Sequence, residues 1–354
     1  MRYFTPGPTQ LAPIVPALLQ EALAKDICSI SHRSKGFEGI YVRATEAIRA
    51  LLALPSSHQI FFLASATEAW ERIIQNCSRE HTFHVVNGVF AERFYTIAQE
   101  LGRNAKAHTV PAGAAVDLTS IAVPEESELI CLTHNETSTG VAIPESAISA
   151  FAKRYPDKLI AVDIVSSAPI VELAWQEIDC GFFSAQKCFG LPAGLGVLIV
   201  SDRAVARAKA LQAQNLSIGS YHSLPTLEAM AKKYQTPETP NVLGIYLLAG
   251  VAEEFLKTGI GVIRTEIRQR AQQLYQFFES RPGMTLFVKE PKARSSTVLT
   301  IEVTGGSAPL LKALAAKGFE VGAGYGSFRD AQIRVANFPL HTPEQVAALC
   351  AALS

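Results

Sequence analysis

The residue whose setting most needs a chemical explanation is Lys187. It closes the apolar run Phe183-Ser184-Ala185-Gln186-Lys187 and opens a loop of small residues, Cys188-Phe189-Gly190-Leu191-Pro192-Ala193-Gly194-Leu195-Gly196. A buried lysine requires a partner. Condensation with a carbonyl compound replaces its ammonium by an imine, and glycines let a flat ring approach the backbone. A lysine capping a strand at the surface is the commoner origin of such a pattern. Upstream, Asp163 ends another apolar run, Ala161-Val162-Asp163-Ile164-Val165. A carboxylate in that place can keep a ring nitrogen protonated, so that the ring accepts electrons; it can equally be a turn or capping aspartate. Leu63-Ala64-Ser65-Ala66-Thr67-Glu68 leads from a strand into a helix. N–H groups and hydroxyls at a helix start suit a dianion, although serine or threonine there is usually a simple cap.

These residues need a scaffold that brings strand ends together. Apolar runs at 59–63, 82–86, 128–133, 159–165, 181–185 and 196–200 read as strands. Amphipathic stretches at 67–76, 90–101 and 145–154 read as helices, the last opened by Pro144-Glu145. Strand–helix alternation predicts an α/β layer with a largely parallel sheet. The runs flanking Lys187 are joined without a helix, which allows an antiparallel pair. After about residue 255 the pattern changes: a helix over 262–280, strands at 285–288 and 297–303, a helix over 308–317, strands at 319–323 and 332–336, and a last helix opened by Thr342-Pro343-Glu344. We expect a large α/β domain over 15–255 and a smaller α+β domain built from 1–14 and 256–354.

At 354 residues the chain exceeds one comfortable core. Lys plus Arg and Asp plus Glu stand at 32 each, which argues against nucleic acid or anionic membranes as partners. Apolar runs such as 245–251 are too short to span a bilayer, and the first residues do not resemble a signal peptide. The six cysteines form no CxxC pair, so free thiols in a reducing cytoplasm are expected and no metal is.

With these motifs in place, the chain resembles the class V aminotransferases of pyridoxal-phosphate fold type I, and among them the phosphoserine aminotransferases. The likeness rests on Phe4-Thr5-Pro6-Gly7-Pro8, Ser31-His32-Arg33-Ser34-Lys35-Gly36-Phe37, Asn135-Glu136-Thr137, Ala185-Gln186-Lys187 and Tyr234-Gln235-Thr236-Pro237. It implies pyridoxal 5'-phosphate as cofactor, with Lys187 as its Schiff-base lysine and Asp163 at the pyridine nitrogen. It implies Thr137 at the phenolic oxygen, Phe90 stacked on the ring, and Ser65, Ala66, Thr67 and Gln186 at the phosphate. Gln235 and Thr236 would reach that phosphate from a neighbouring copy, which requires a homodimer. His32, Arg33, Arg329 and Arg334 would bind substrate, Arg334 its α-carboxylate. Phosphoserine would exchange its amino group with 2-oxoglutarate. Thr67 departs from the family, which commonly places an arginine there for the substrate's phosphate. His134-Asn135-Glu136-Thr137-Ser138-Thr139-Gly140 also resembles the serine–pyruvate and alanine–glyoxylate aminotransferases. A cysteine desulfurase is disfavoured, since 322–330 holds no cysteine and Gln186 stands where those enzymes have histidine.

Overall fold

The computed structural model describes residues 1–354. A seven-stranded sheet has the order His58–Leu63, Gly196–Ser201, Cys180–Ser184, Leu159–Asp163, Leu129–Thr133, His81–Val86, Asn104–Thr109. Only Gly196–Ser201 runs antiparallel to its neighbours; the remaining adjacent pairs are parallel. The three central strands are buried along their whole length, because helices cover both faces. Alternation then sends successive side chains into different cores. Ile130, Leu132, Ile160 and Val162 face helices Lys35–Leu52 and Val242–Thr258. Leu129, Cys131, Leu159 and Ala161 face helices Ala66–Cys77, Val89–Glu100 and Asp202–Ala213.

The second sheet has five strands in the order Arg2–Phe4, Phe319–Ala323, Gln332–Ala336, Val298–Val303, Met284–Leu286. Its first strand comes from the chain's beginning and lies parallel to Phe319–Ala323. Helices Ile260–Glu279 and Pro343–Leu353 close over it around Leu274, Phe278, Ile333 and Leu349. The long helices Val242–Thr258 and Ile260–Glu279 break at Gly259, whose φ of 90° suits glycine.

One expectation needs correction, and one strand was not expected. The strand expected over 159–165 stops at Asp163, because the Asp163 carboxylate accepts from Val165 N at 2.8 Å and turns the chain. The edge strand Asn104–Thr109 has no apolar run to announce it; its sequence NAKAHT is mostly exposed, as an edge with a lysine is expected to be.

The N-terminal strand is tied down by His341. Its Nδ1 accepts from Phe338 N at 2.9 Å and its Nε2 donates to Tyr3 O at 3.0 Å. The ring stacks on Phe4 at 4.4 Å. These partners admit one neutral tautomer. Burial lowers the imidazole to about 4, against the opposing pull of the Tyr3 carbonyl. An unfolded histidine takes up its proton near pH 6.5. The stabilisation is therefore complete above pH 6.5 and is lost as pH falls toward 4, about 3 kcal/mol in all. Denaturant midpoints measured from pH 7 to 4 should fall in the wild type. They should start lower but decline less in His341→Gln; equal slopes would contradict this.

Candidate active site

The site lies where parallel strands end, the usual place for a ligand in an open α/β sheet. Strands Leu159–Asp163 and Cys180–Ser184 run in register, with Asp163 opposite Phe182. Asp163 is the last residue of one, and Lys187 follows the end of the other by three residues. A cleft between them is lined by Ala66, Thr67, Trp70, Phe90, Thr137, Asp163, Gln186 and Lys187, among others.

Lys187 is buried, and its Nζ donates to Thr137 Oγ1 at 3.0 Å and lies 5.2 Å from the centre of the Phe90 ring. Burial, joined by the charge of Arg334, lowers its proton affinity, and Asp163 acts in the opposite sense. Asp163 is likewise buried. Its Oδ2 accepts from Trp70 Nε1 at 3.1 Å, and burial raises its carboxyl above the usual range. The two groups share the cleft, yet they form no ion pair. The residues fit a planar ring with a cationic nitrogen at the Asp163 end and an aldehyde at the Lys187 end, which supplies the partner each group lacks. Gly7 packs against the lysine: a Cβ there would stand 3.0 Å from its Cε.

The helix beginning at Ala66 opens beside the cleft. Ser65 caps it, its Oγ accepting from Glu68 N at 3.1 Å, and Ala66 N donates to Ser184 Oγ at 3.0 Å. The turn lies directly on strand Gly196–Ser201. A Cβ on Gly196 would come within 2.6 Å of Ser65 O, so only glycine permits the approach. Ser65 therefore spends its hydroxyl on the cap, while Ala66 and Thr67 line the cleft.

Arg334 comes from the second sheet. Its Nε donates to Ala323 O at 2.8 Å and one Nη to Thr137 O at 3.3 Å. The guanidinium lies 5.1 Å from the Tyr325 ring, which meets Phe90 at 5.0 Å. One Nη remains without a protein acceptor. The other sequence-derived candidates do not join this cleft. Arg33 donates to Gln235 Oε1 at 2.8 Å, Thr236 O at 2.9 Å and Pro237 O at 3.2 Å. His32 lies beside it, its proton affinity lowered by burial and by Arg33. These four residues, His32, Arg33, Gln235 and Thr236, form a separate group. Arg329 is exposed after the turn Gly326–Phe328, and its guanidinium makes no hydrogen bond.

Residue reasoning missed Trp70 and Glu136. Trp70 stands four places after Ala66 on one helix face, which was a usable signal. Glu136 is fully buried; it accepts from Ala91 N at 3.0 Å and from Ser138 N at 2.9 Å. It thus caps the helix that carries Phe90, whose preceding Gly88 offers no side chain. Its place within the run Asn135-Glu136-Thr137 was its one signal in the sequence.

The chain is similar along nearly its whole length to known proteins. The sequence pattern of the family "Aminotransferase class-V" matches residues 3–338. A crystal structure of a phosphoserine aminotransferase from Cytophaga hutchinsonii is 46% identical, with a TM-score of 0.98, over 99% of this chain and 98% of that one. A phosphoserine aminotransferase from Rhodococcus opacus is 29% identical over 97% of this chain and 91% of its own length. An aspartate aminotransferase from Thermus thermophilus, at 24% identity and a TM-score of 0.87, shares the fold.

Trp70→Phe removes the donor to Asp163 Oδ2 and keeps the packing. A hydrogen bond to a charged group contributes roughly 1.5–3 kcal/mol. We expect the single-turnover amino-transfer rate to fall by about tenfold or more with the fold intact; an unchanged rate would remove Trp70 from the site.

Proposed function

The chain belongs to the class V aminotransferases, and we propose that it moves the amino group of phosphoserine to 2-oxoglutarate. Its activity is that of a pyridoxal-phosphate aminotransferase. The observation that carries the substrate reading is the 46% identity, over nearly the whole of both chains, to a protein described as a phosphoserine aminotransferase.

Pyridoxal phosphate, when bound, supplies an aldehyde that condenses with amines and a protonated ring that withdraws electrons from the substrate's Cα. Lys187 would hold it covalently and, once displaced by the substrate's amine, would serve as the base. Burial lowers the proton affinity of Nζ, so more of it is free amine than for an exposed lysine, able to take the Cα proton and deliver it to the cofactor's aldehyde carbon. Asp163 holds the proton on the ring nitrogen, and Trp70 holds Asp163. Thr137 Oγ1, which receives Lys187 Nζ at 3.0 Å, would take the ring's phenolic oxygen. Phe90 would cover a face of the ring, and Ala66, Thr67 and Gln186 would hold the phosphate. Arg334 presents its free Nη to the α-carboxylate, the task for which a planar fork is suited.

The group Arg33, Gln235 and Thr236 stands apart from its own chain's cleft. This supports a two-fold dimer in which each copy completes the other's site. His32 and Arg33 would then face the partner's substrate, with Arg329 as a further cation. A dianionic phosphate needs such cations to replace lost hydration. A second reading has its own support: Thr67 occupies the family's arginine position, and Arg33 already serves three acceptors of its own chain. On that reading the substrate is a small unphosphorylated amino acid such as alanine or serine.

Lys187→Ala should abolish turnover and leave the thermal unfolding profile close to wild type; wild-type turnover in a folded variant would sink the assignment. The substrate is decided by the rate at which L-phosphoserine, L-serine, L-alanine and L-glutamate discharge the cofactor's visible absorbance. Phosphoserine should be fastest, and Arg33→Ala should slow it far more than alanine. Faster reaction with alanine or serine would replace the phosphoserine reading with the second one.

A further inference from the structure

His222 is buried, at 3% exposure, and does not line the Lys187 cleft. Its Nδ1 is hydrogen-bonded to Glu68 Oε1, and its Nε2 lies 2.8 Å from Glu238 Oε2. Ionised carboxylates only accept hydrogen bonds, and a neutral imidazole has a single N–H. Both contacts are therefore satisfied only when both ring nitrogens carry hydrogen. Burial by itself would disfavour that charge, but the hydrogen bonds to Glu238 and Glu68 outweigh it and push the imidazole up to about 9. The Tyr221 ring lies 4.1 Å away on the same loop. Arg72 acts on Glu68 from the shared helix, and His32 faces Glu238.

Both carboxylates hold other structure. Glu68 is the third residue of the helix that starts at Ala66, and its second oxygen accepts from Ala64 N at 2.9 Å. It therefore braces the turn 64–67 from outside while Ser65 caps it from within. Glu238 follows Thr236, whose Oγ1 donates to Glu238 O at 2.7 Å. Arg33 binds the same segment from the other side.

We infer that His222 is a positioning residue that locks the turn 64–67 to the segment 235–238 through Glu68 and Glu238, so that the two phosphate-binding elements are held as one unit. This rests on the proposed reading in which the turn holds the phosphate of its own site and Gln235 and Thr236 that of the neighbouring copy. Loss of the imidazolium proton leaves one ring nitrogen with no hydrogen to share with its carboxylate and loosens both elements together. Each subunit's His222 then governs two sites, one on either side of the interface.

The test uses pyridoxamine 5'-phosphate, which binds without a covalent bond to Lys187, so titration of that lysine weighs less. Affinity is read from quenching of tryptophan fluorescence, since Trp70 lines the cleft, between pH 7 and 10. Because the folded imidazole holds its proton to about 9, while Lys187 and Asp163 titrate alike in wild type and variant, the affinity of the wild type relative to His222→Gln should be constant below that value and fall as pH rises through it. His222→Gln should bind about tenfold more weakly at pH 7.5, the scale of one lost charge-assisted hydrogen bond, and lack the alkaline step. The ratio of variant to wild type should approach one by pH 10. Glu238→Gln, at a half-buried position, should move the wild-type step to lower pH. A ratio independent of pH, or an unmoved step in Glu238→Gln, would overturn the inference. Thr67→Val and Thr236→Val separate the two levels. If both weaken binding while His222→Gln does not, the inference alone fails; if neither does, the reading of the phosphate site fails and takes the inference with it.

Discussion

Everything in this molecule is arranged around two opposite charges that share a cleft without touching. A buried carboxylate and a buried amine each carry a large desolvation cost. The direct remedy would be an Asp163–Lys187 ion pair. Instead Asp163 is held by Trp70 and the Val165 amide, and Lys187 by Thr137. The remaining cost is visible in the direction of both titrations, the carboxyl raised and the amine lowered. A protein retains such an arrangement when a ligand completes it, and the family's cofactor has the matching polarity at its two ends.

Holding those charges apart requires a rigid frame, and the sheet supplies it. Asp163 and the start of the Lys187 loop sit on adjacent parallel strands whose side chains fill cores on both faces. The turn 64–67 is brought down onto the antiparallel strand by Gly196, and Ala66 N donates to Ser184 Oγ. Arg334 arrives from the other sheet and Tyr325 from the loop after its strand Phe319–Ala323, meeting Thr137 and Phe90 at the cleft. The second sheet therefore completes one wall of the site, and the first strand of the chain, pinned by His341, helps to build that sheet.

Much of this was legible in the sequence, for definite reasons. Central parallel strands are buried on both faces, so LICLT and LIAVD stand out as apolar runs. The helix over 343–353 is announced by Thr342-Pro343-Glu344, and the structure adds a capping box between Thr342 and Gln345. The edge strand Asn104–Thr109 was not legible, because an edge faces water and carries no apolar pattern. Nor was the network of His222, whose partners Glu68 and Glu238 are 154 and 16 residues away along the chain.

The sequence by itself determined the family likeness, carried by motifs such as Asn135-Glu136-Thr137 and Ala185-Gln186-Lys187, and the alternation that folds into an α/β layer with a second, α+β unit. Those features are local, written in residue type and period. Only the tertiary structure decided which candidates share a cleft. It joined Ala66, Thr67, Phe90, Thr137, Asp163, Gln186 and Lys187, set Arg334 beside them, and placed Arg33 with Gln235 and Thr236 elsewhere. It also enlisted Trp70 and Glu136, whose value lies in hydrogen bonds to distant residues. Such partnerships depend on how strands and helices are stacked, a property of the whole chain that no short segment encodes.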